Sequence, residues 1–475
     1  MGARIAAVLA ATIVLAASSA GASGDVVKRS TGAAERTVRM PVGFFDDPSF
    51  RWAGNTGANL ARAAAAHASI IHTLANWAAI APRRPKNPLD GSDRAYHLSD
   101  LDALVRTAGR YDLRVMITIS GTPRWANGDQ APNHAPLNMK WLTEFAQMLA
   151  HRYNGDHGKG AVTLFSVWNE PNLGLFLVPQ FRHGKIVSPA LYARLFRAAY
   201  AGIKRGDPNA VVAAGETSNR GINRPSGNPG GDSVAPATFA RRLAEVAPRL
   251  PFAAWADHPY SPNFGLGPAQ KVRFPNVSFS TINRFGASLR RWFHRRVPIW
   301  ITEYGEETLP DFRGGVTLAK QAADAREALQ LARSNPYVRM FVWFVFRDSN
   351  STTWFSGLER RSGRKKPGYE AFASAAATAV GQTELIKPFR HFTVSIPIPW
   401  IAYHVPAGSR LTVTYTITRN ARVVARGRQR AVLLPDENVM FTVAFGSARR
   451  RRYTLAATVR DHRGHFEKHL VVLVS

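Results

Sequence analysis

From Val42 to about residue 380 the chain alternates two kinds of segment. Short β-branched or aromatic runs are followed by longer stretches whose apolar residues recur at helical spacing. Runs of the first kind read as buried strands and stretches of the second as amphipathic helices. Their alternation predicts parallel strands joined by helices. Strands are predicted at Pro41–Phe45, Ser69–Leu74, Arg114–Ile119, the run from Thr163 to Trp168, Ala210–Ala214, Phe252–Ala256, the run from Pro298, and Val338–Phe346. Helices are predicted at Asn59–His67, from an N-cap at Ser99 to Tyr111, and at Asn138–Tyr153, Pro189–Arg205, Ala237–Val246, Thr281–Arg295 and Leu318–Ser334. A closing Ala-rich helix runs from Lys366 to near Gly381. Eight such units make a (β/α)8 barrel. The connection Glu216–Pro236 is long and irregular, so it either walls a cleft or stays without fixed structure, and a second irregular loop follows Tyr260 up to Asn276.

From Leu385 onward the helical period disappears. Alternating runs at Phe392–Ile398, Arg410–Thr418, Val439–Phe445, Tyr453–Arg460 and His469–Val474 recur between turn residues, which predicts a small all-β, immunoglobulin-like sandwich over 385–475. The fold class is therefore α/β, a barrel over 40–381 followed by that sandwich. Between residues 385 and 475, 15 Lys and Arg stand against 4 Asp and Glu, so the module is either a basic spacer or an anchor to an acidic glycan or envelope.

Composition adds a compartment. Arg4, the apolar run Ile5–Ala17 and the small-x-small Ala20-Gly21-Ala22 predict a signal peptide over 1–24, hence a secreted protein. No later run reaches the ~18 apolar residues of a transmembrane helix. The chain contains no cysteine, which excludes disulfides and thiolate metal sites. A net charge of +30 raises nucleic acid as a partner, but the arginines are scattered and no nucleic-acid motif accompanies them. Solvated surface, or attraction to an anionic glycan or cell envelope, remains.

Candidate chemistry lies where two strand runs are cut off by a carboxylate. Trp168-Asn169-Glu170-Pro171-Asn172 ends the fourth run, and Ile301-Thr302-Glu303-Tyr304-Gly305 ends the seventh. On a parallel barrel those ends share the catalytic face. Two facing carboxyls repel as anions, so one keeps a proton while the other stays charged, which is what protonating a leaving oxygen and meeting a developing cation require. Structural ion pairing is the alternative use. No nucleotide, flavin or zinc motif is present, and no cofactor or metal is called for.

These two segments resemble the retaining (β/α)8 glycoside hydrolases of clan A, nearest the cellulase-like family 5 and family 39 groups, over about Val42–Val380. The resemblance implies a secreted glycosidase that cleaves a β-linked oligo- or polysaccharide by double displacement, Glu170 being acid/base and Glu303 nucleophile. By the same resemblance Asn169 holds the sugar 2-hydroxyl, Tyr260 reaches the nucleophile, His258 lines the subsite and Trp343 is a platform under the sugar. The alternative reading of His258, Tyr260 and Trp343 is as core residues. Trp125, after the third strand, either stacks on a sugar or packs its own loop. His72 departs from the pattern, standing where many members carry an arginine near the nucleophile. There it either makes activity more sensitive to pH or is a core histidine. Glycosyl transfer is a variant of this chemistry. The alternative class is an inactive carbohydrate-binding barrel anchored to an anionic envelope polymer.

Overall fold

The computed structural model describes residues 27–29, 40–261, 266–310, 312, 314–350, 354–377, 389–446 and 452–474. The expected signal peptide over 1–24 and the last residues of the closing helix lie outside them. The chain divides into two compact units, Thr37–Thr383 and a second made of Met1–Arg36 with Glu384–Ser475.

The larger unit is a closed barrel of parallel strands. They are β1 (Val42–Phe45), β2 (Ile70–Asn76), β3 (Arg114–Ser120), β4 (Leu164–Val167), β5 (Val211–Ser218), β6 (Ala254–His258), β7 (Ile299–Ile301) and β8 (Val338–Phe344). Each strand pairs with its sequence neighbours, and β8 closes on β1 with Phe341 opposite Val42 and Phe344 opposite Phe45. Helices α1 (Thr56–Ala65), α2 (Ser99–Ala108), α3 (Met139–Arg152), α4 (Ser188–Gly206), α5 (Pro236–Val246), α6 (Ile282–Trp292), α7 (Leu318–Ser334) and α8 (Pro367–Ala377) alternate with the strands. Capping sets some of their starts: Asn138 accepts from the Lys140 N–H at the head of α3, and Thr317 from the Lys320 N–H at the head of α7. Ser99 is the first helical residue of α2 and caps nothing; Leu98 holds the cap position.

Strand alternation sorts side chains into two apolar layers. Ile70, Met116, Leu164, Ala213, Ala254, Trp300, Met340 and Val342 fill the barrel interior. Their neighbours Ile71, Val115, Ile117, Phe165, Phe341 and Trp343 point outward into a larger core shared with the helices. Stepping two residues along the strands from the interior set reaches polar side chains: His72 after Ile70, Thr118 after Met116, Ser166 after Leu164. All three are fully buried. The interior thus turns polar as it approaches the carboxyl ends of the strands.

β5 is longer than expected, running through Ser218. Its register shifts between Gly215 and Thr217, a bulge that gives Glu216 a φ of 46°. At Gly215, φ is 103°, and a Cβ there would lie 2.6 Å from the Ala256 carbonyl oxygen, so only glycine fits.

The second unit holds β9 (Phe389–Pro397), β10 (Arg410–Arg419), β11 (Arg422–Val432), β12 (Asn438–Gly446), β13 (Arg452–Arg460) and β14 (Phe466–Val474). β12 pairs with β9, and β9 also takes the short strand Val27–Arg29 on its other edge. β11, β10, β13 and β14 form the second antiparallel sheet. Val394, Ile396, Val439 and Phe441 from the first sheet and Leu411, Val413, Leu455, Val459, Val471 and Leu473 from the other share one core, the arrangement of a sandwich. β11 was not anticipated. Its half-buried positions are Ala425, Gly427, Gln429 and Ala431, with arginines between them, so alternation is present but its inward residues are too small or too polar to register as apolar.

Candidate active site

Glu170 reaches the barrel mouth through a segment with unusual backbone. Trp168 and Glu170 adopt φ of 71° and 41°, left-handed conformations that cost a side chain on the order of 1 kcal/mol or more. The surroundings hold them there. The Trp168 N–H donates to the Ile119 carbonyl at 2.7 Å and its indole Nε1 to the Phe176 carbonyl at 2.7 Å, while the Glu170 N–H donates to the Glu216 carbonyl at 2.9 Å. Asn172 is buried and donates to the Val234 carbonyl (2.9 Å) while accepting from the Ser218 N–H (2.8 Å), which ties the chain after β4 to the chain after β5.

Glu303 stands two residues beyond β7, and β6 supplies what joins it to Glu170. His258 Nδ1 lies 3.0 Å from Glu170 Oε1 and 3.6 Å from Glu303 Oε2. The Tyr260 hydroxyl donates to Glu303 Oε2 at 2.9 Å. Because one ring nitrogen reaches both carboxylates, their closest oxygens are at most roughly 6.6 Å apart, a bound that spans the ~5 to 5.5 Å of retaining pairs and only touches the foot of the inverting range. Burial alone would lower His258, yet the carboxylates of Glu303, Glu170 and Glu216 hold it up at about 9, so it is a cation at neutral pH. Burial pushes Glu303 up to about 7, with the Glu170 charge adding to the rise. His258 and the Tyr260 hydrogen bond pull the other way, favouring the anion.

Beneath this pair runs a buried polar chain. His72 Nδ1 donates to the Thr302 carbonyl at 3.1 Å, and its Nε2 lies 2.7 Å from Thr118 Oγ1. Thr118 Oγ1, Ser166 Oγ and Glu216 Oε1 are mutually 2.6 Å apart. Burial, and next the His258 charge, lower His72 to about 3, so the ring is neutral and Nε2 accepts the Thr118 proton. Ser166 Oγ donates to Glu216 Oε1, and burial raises the pKa of that carboxyl. His72 therefore supplies no charge, and it touches the Thr302 backbone, not the Glu303 carboxylate. Of the two readings of His72 the core histidine holds: it is fully buried and does not line the cleft, so the expectation of a substrate-side, pH-sensitive His72 is corrected, and the titratable cation beside the pair is His258. Glu216, expected at the start of a loop, lies instead within β5, and the isolated Gly215 ahead of it is the sequence sign of the bulge.

Above the pair opens a cleft of about 630 Å³ lined by Phe45, Asn169, Glu170, Leu175, Ser218, Arg220, Tyr260, Glu303, Phe344 and Trp354 among others. Among the described residues, Asn169 is buried with an Oδ1 that has no protein partner, so the amide faces the cleft with unmet hydrogen-bonding capacity. Trp343 does not line it. Strand parity turns that ring outward, fully buried, with its Nε1 on the Ser356 carbonyl at 2.9 Å, and it is a core tryptophan. The next residue, Phe344, lines the cleft with Trp354 6.0 Å away. Trp125 also lies elsewhere: its Nε1 donates to the Ala81 carbonyl at 2.8 Å and its ring packs on Trp77 and Trp141. The connection expected at Glu216–Pro236 begins only after Ser218; its first residues, Asn219 and Arg220, line the cleft, and Arg224 and Leu173 bridge to Ser233.

No family model and no curated protein matches the chain. Solved structures do. A family 39 glycoside hydrolase from Bacteroides cellulosilyticus aligns at 16% identity over 87% of this chain and 82% of that one, with a TM-score of 0.52. A family 39 β-xylosidase from Caulobacter crescentus aligns at 14% identity over 88% and 98%, with a TM-score of 0.51. A family 5 glycoside hydrolase from Streptomyces cattleya, in complex with Manβ1-4GlcNAc, aligns at 17% identity over 73% and 83%, with a TM-score of 0.53. At such identities the likeness speaks for architecture, and the chain shares the (β/α)8 barrel of family 39 and family 5 glycoside hydrolases.

Proposed function

We propose that this protein is a secreted retaining β-glycoside hydrolase that cleaves a β-linked oligo- or polysaccharide by double displacement. The observation that carries the reading is the pair Glu170 and Glu303, brought from two strand ends to one imidazole nitrogen at the floor of an aromatic-walled cleft. Glu303, favoured as an anion by the Tyr260 hydroxyl and the His258 cation, attacks the anomeric carbon while Glu170 protonates the leaving oxygen. Glu170 then takes a proton from the water that releases the sugar. Asn169 offers a hydrogen bond to a ring hydroxyl, and Phe344 and Trp354 offer apolar faces to the pyranose. Residues 1–24 serve as the export signal, supported by Arg4, the run Ile5–Ala17 and Ala20-Gly21-Ala22.

A panel of aryl β-glycosides, with the anomeric configuration of the first product followed by NMR, tests this. Turnover with release of the β-hemiacetal is expected. Initial release of the α-anomer would reject double displacement, and no turnover of any glycoside together with measurable glycan binding would leave an inactive binding barrel.

Two further results are expected. Tyr260→Phe removes a hydrogen bond that favours ionised Glu303, so the carboxyl rises further above about 7. The reaction needs that carboxyl as an anion, so kcat/KM climbs with pH through its value, and the variant's acid limb should move to higher pH by up to ~1 unit; an unmoved limb would separate it from Glu303. Secondly, a chain trimmed to Thr37–Thr383, one compact unit, should keep its turnover of small aryl glycosides to within about twofold. A folded trimmed chain without turnover would show that the β-module contributes to the site.

A further inference from the structure

A second concavity of about 450 Å³ opens in the segments that follow β2 and β3. It shares no lining residue with the catalytic cleft, although both draw on β2: Leu74 lines the cleft and Trp77, just past the strand, lines the other. Its walls are an array of rings. Trp77 meets Trp125 edge-on at 5.7 Å and stacks on Phe145 at 5.5 Å, and Trp125 packs on Trp141 at 5.6 Å. The polar ends of the array are already engaged, the Trp125 indole on the Ala81 carbonyl at 2.8 Å and the Tyr96 hydroxyl on the Pro88 carbonyl at 2.7 Å. The rings are thus fixed in place and present apolar faces. Trp125 and Trp141 stay partly exposed.

The charge at this concavity differs from that at the cleft. Arg84, Lys86 and Lys140 line it against one acid, Glu144, which lies 3.6 Å from Lys140. Arg84 sits over the Trp141 ring at 5.1 Å. Asp93, the acid near Lys86, is occupied by the backbone N–H groups of Lys86, Asn87 and Ala95, which hold the loop in shape. A guanidinium parked on an aromatic face beside rigid rings presents one apolar surface and one fork of donors suited to a carboxylate.

We propose that this concavity is a second saccharide site that takes a carboxylate-bearing sugar, a uronate unit of an acidic glycan. The ring stacks on Trp125 and Trp141, and the carboxylate pairs with Arg84, supported by Lys86. The diffuse basic charge of the chain would then have one defined place at which an acidic polymer is gripped on the catalytic face of the barrel.

The test is calorimetric titration of the full chain at about 50 mM salt with two α-linked trisaccharides, trigalacturonate and neutral maltotriose. Trigalacturonate should bind at least ~10-fold more tightly than maltotriose, and Trp141→Ala and Arg84→Gln should each weaken it by ~10-fold or more. Arg84 is exposed, so its replacement does not threaten folding, and Trp141→Ala leaves the charge unchanged. Equal affinity for both sugars, no binding of either, or trigalacturonate binding indifferent to both substitutions, as diffuse surface attraction would give, overturns the site. Turnover of aryl β-glycosides by Arg84→Gln should match the unmutated protein; its absence in both would count against the proposed hydrolase and not against this site.

Discussion

Glu303→Ala is expected to abolish turnover of every glycoside, by at least ~10⁴-fold, including substrates with very good leaving groups. The reason is that a nucleophile is needed in the first step whatever departs. Nothing else among the cleft-lining residues is positioned to replace it: Glu170 shares His258 with it but is engaged on the leaving-group side, and Tyr260, which donates to Glu303, is pushed well above its ordinary value by burial and the neighbouring carboxylates and stays a neutral phenol. Removing the Glu303 side chain also opens space beneath the anomeric carbon. Azide entering there attacks from the face opposite the departing group, so a β-glycoside should yield the α-glycosyl azide. A variant that retains activity on dinitrophenyl glycosides without azide would show that Glu303 is not the nucleophile.

Glu170→Ala should behave differently. Protonation matters only when the leaving oxygen is basic, so alkyl glycosides should lose ~10²- to 10⁴-fold while a dinitrophenyl glycoside still reacts in the first step. The glycosyl-enzyme should then accumulate, because the same carboxylate must deprotonate the incoming water. Azide needs no deprotonation and should restore turnover, giving the β-glycosyl azide with retained configuration. Mass spectrometry of the stalled protein locates the sugar; attachment at Glu303 is expected. An α-azide from this variant would exchange the roles of the two glutamates. The experiment is pointed because burial pushes Glu303 up to about 7 in the free protein, a direction that alone would suit the acid.

The barrel and both glutamates were legible because each signal is local and repeated: an apolar strand run stopped by a carboxylate occurs twice, three βα units apart. His258 and Tyr260 carried no such local signal: only the resemblance pointed to them, and a buried His and Tyr at the end of β6 read as core just as well. What escaped depends on register. Trp343 and Phe344 are both aromatic neighbours in one strand, and composition cannot say which parity faces inward; the pairing of β8 with β1 decides it. Glu216 became an interior residue only through a bulge, and His72 lost its expected charge because its surroundings are wholly buried. Trp125 was drawn away by Trp77 and Trp141, partners distant in sequence. β11 hid because small or polar residues occupied its inward positions.

Every group proposed to break bonds sits within three residues of a barrel strand, whereas Leu173 and Leu175, which shape the cleft wall, belong to the irregular segment between Glu170 and α4, which lies beside the one between β5 and α5. Asn172 stitches those segments together without touching Glu303. A lineage could therefore rewrite the wall, lengthening or recharging it to suit a new polymer, while the reacting geometry is inherited unchanged from the sheet. For the engineer the same division marks where to randomise and where to leave the chain alone.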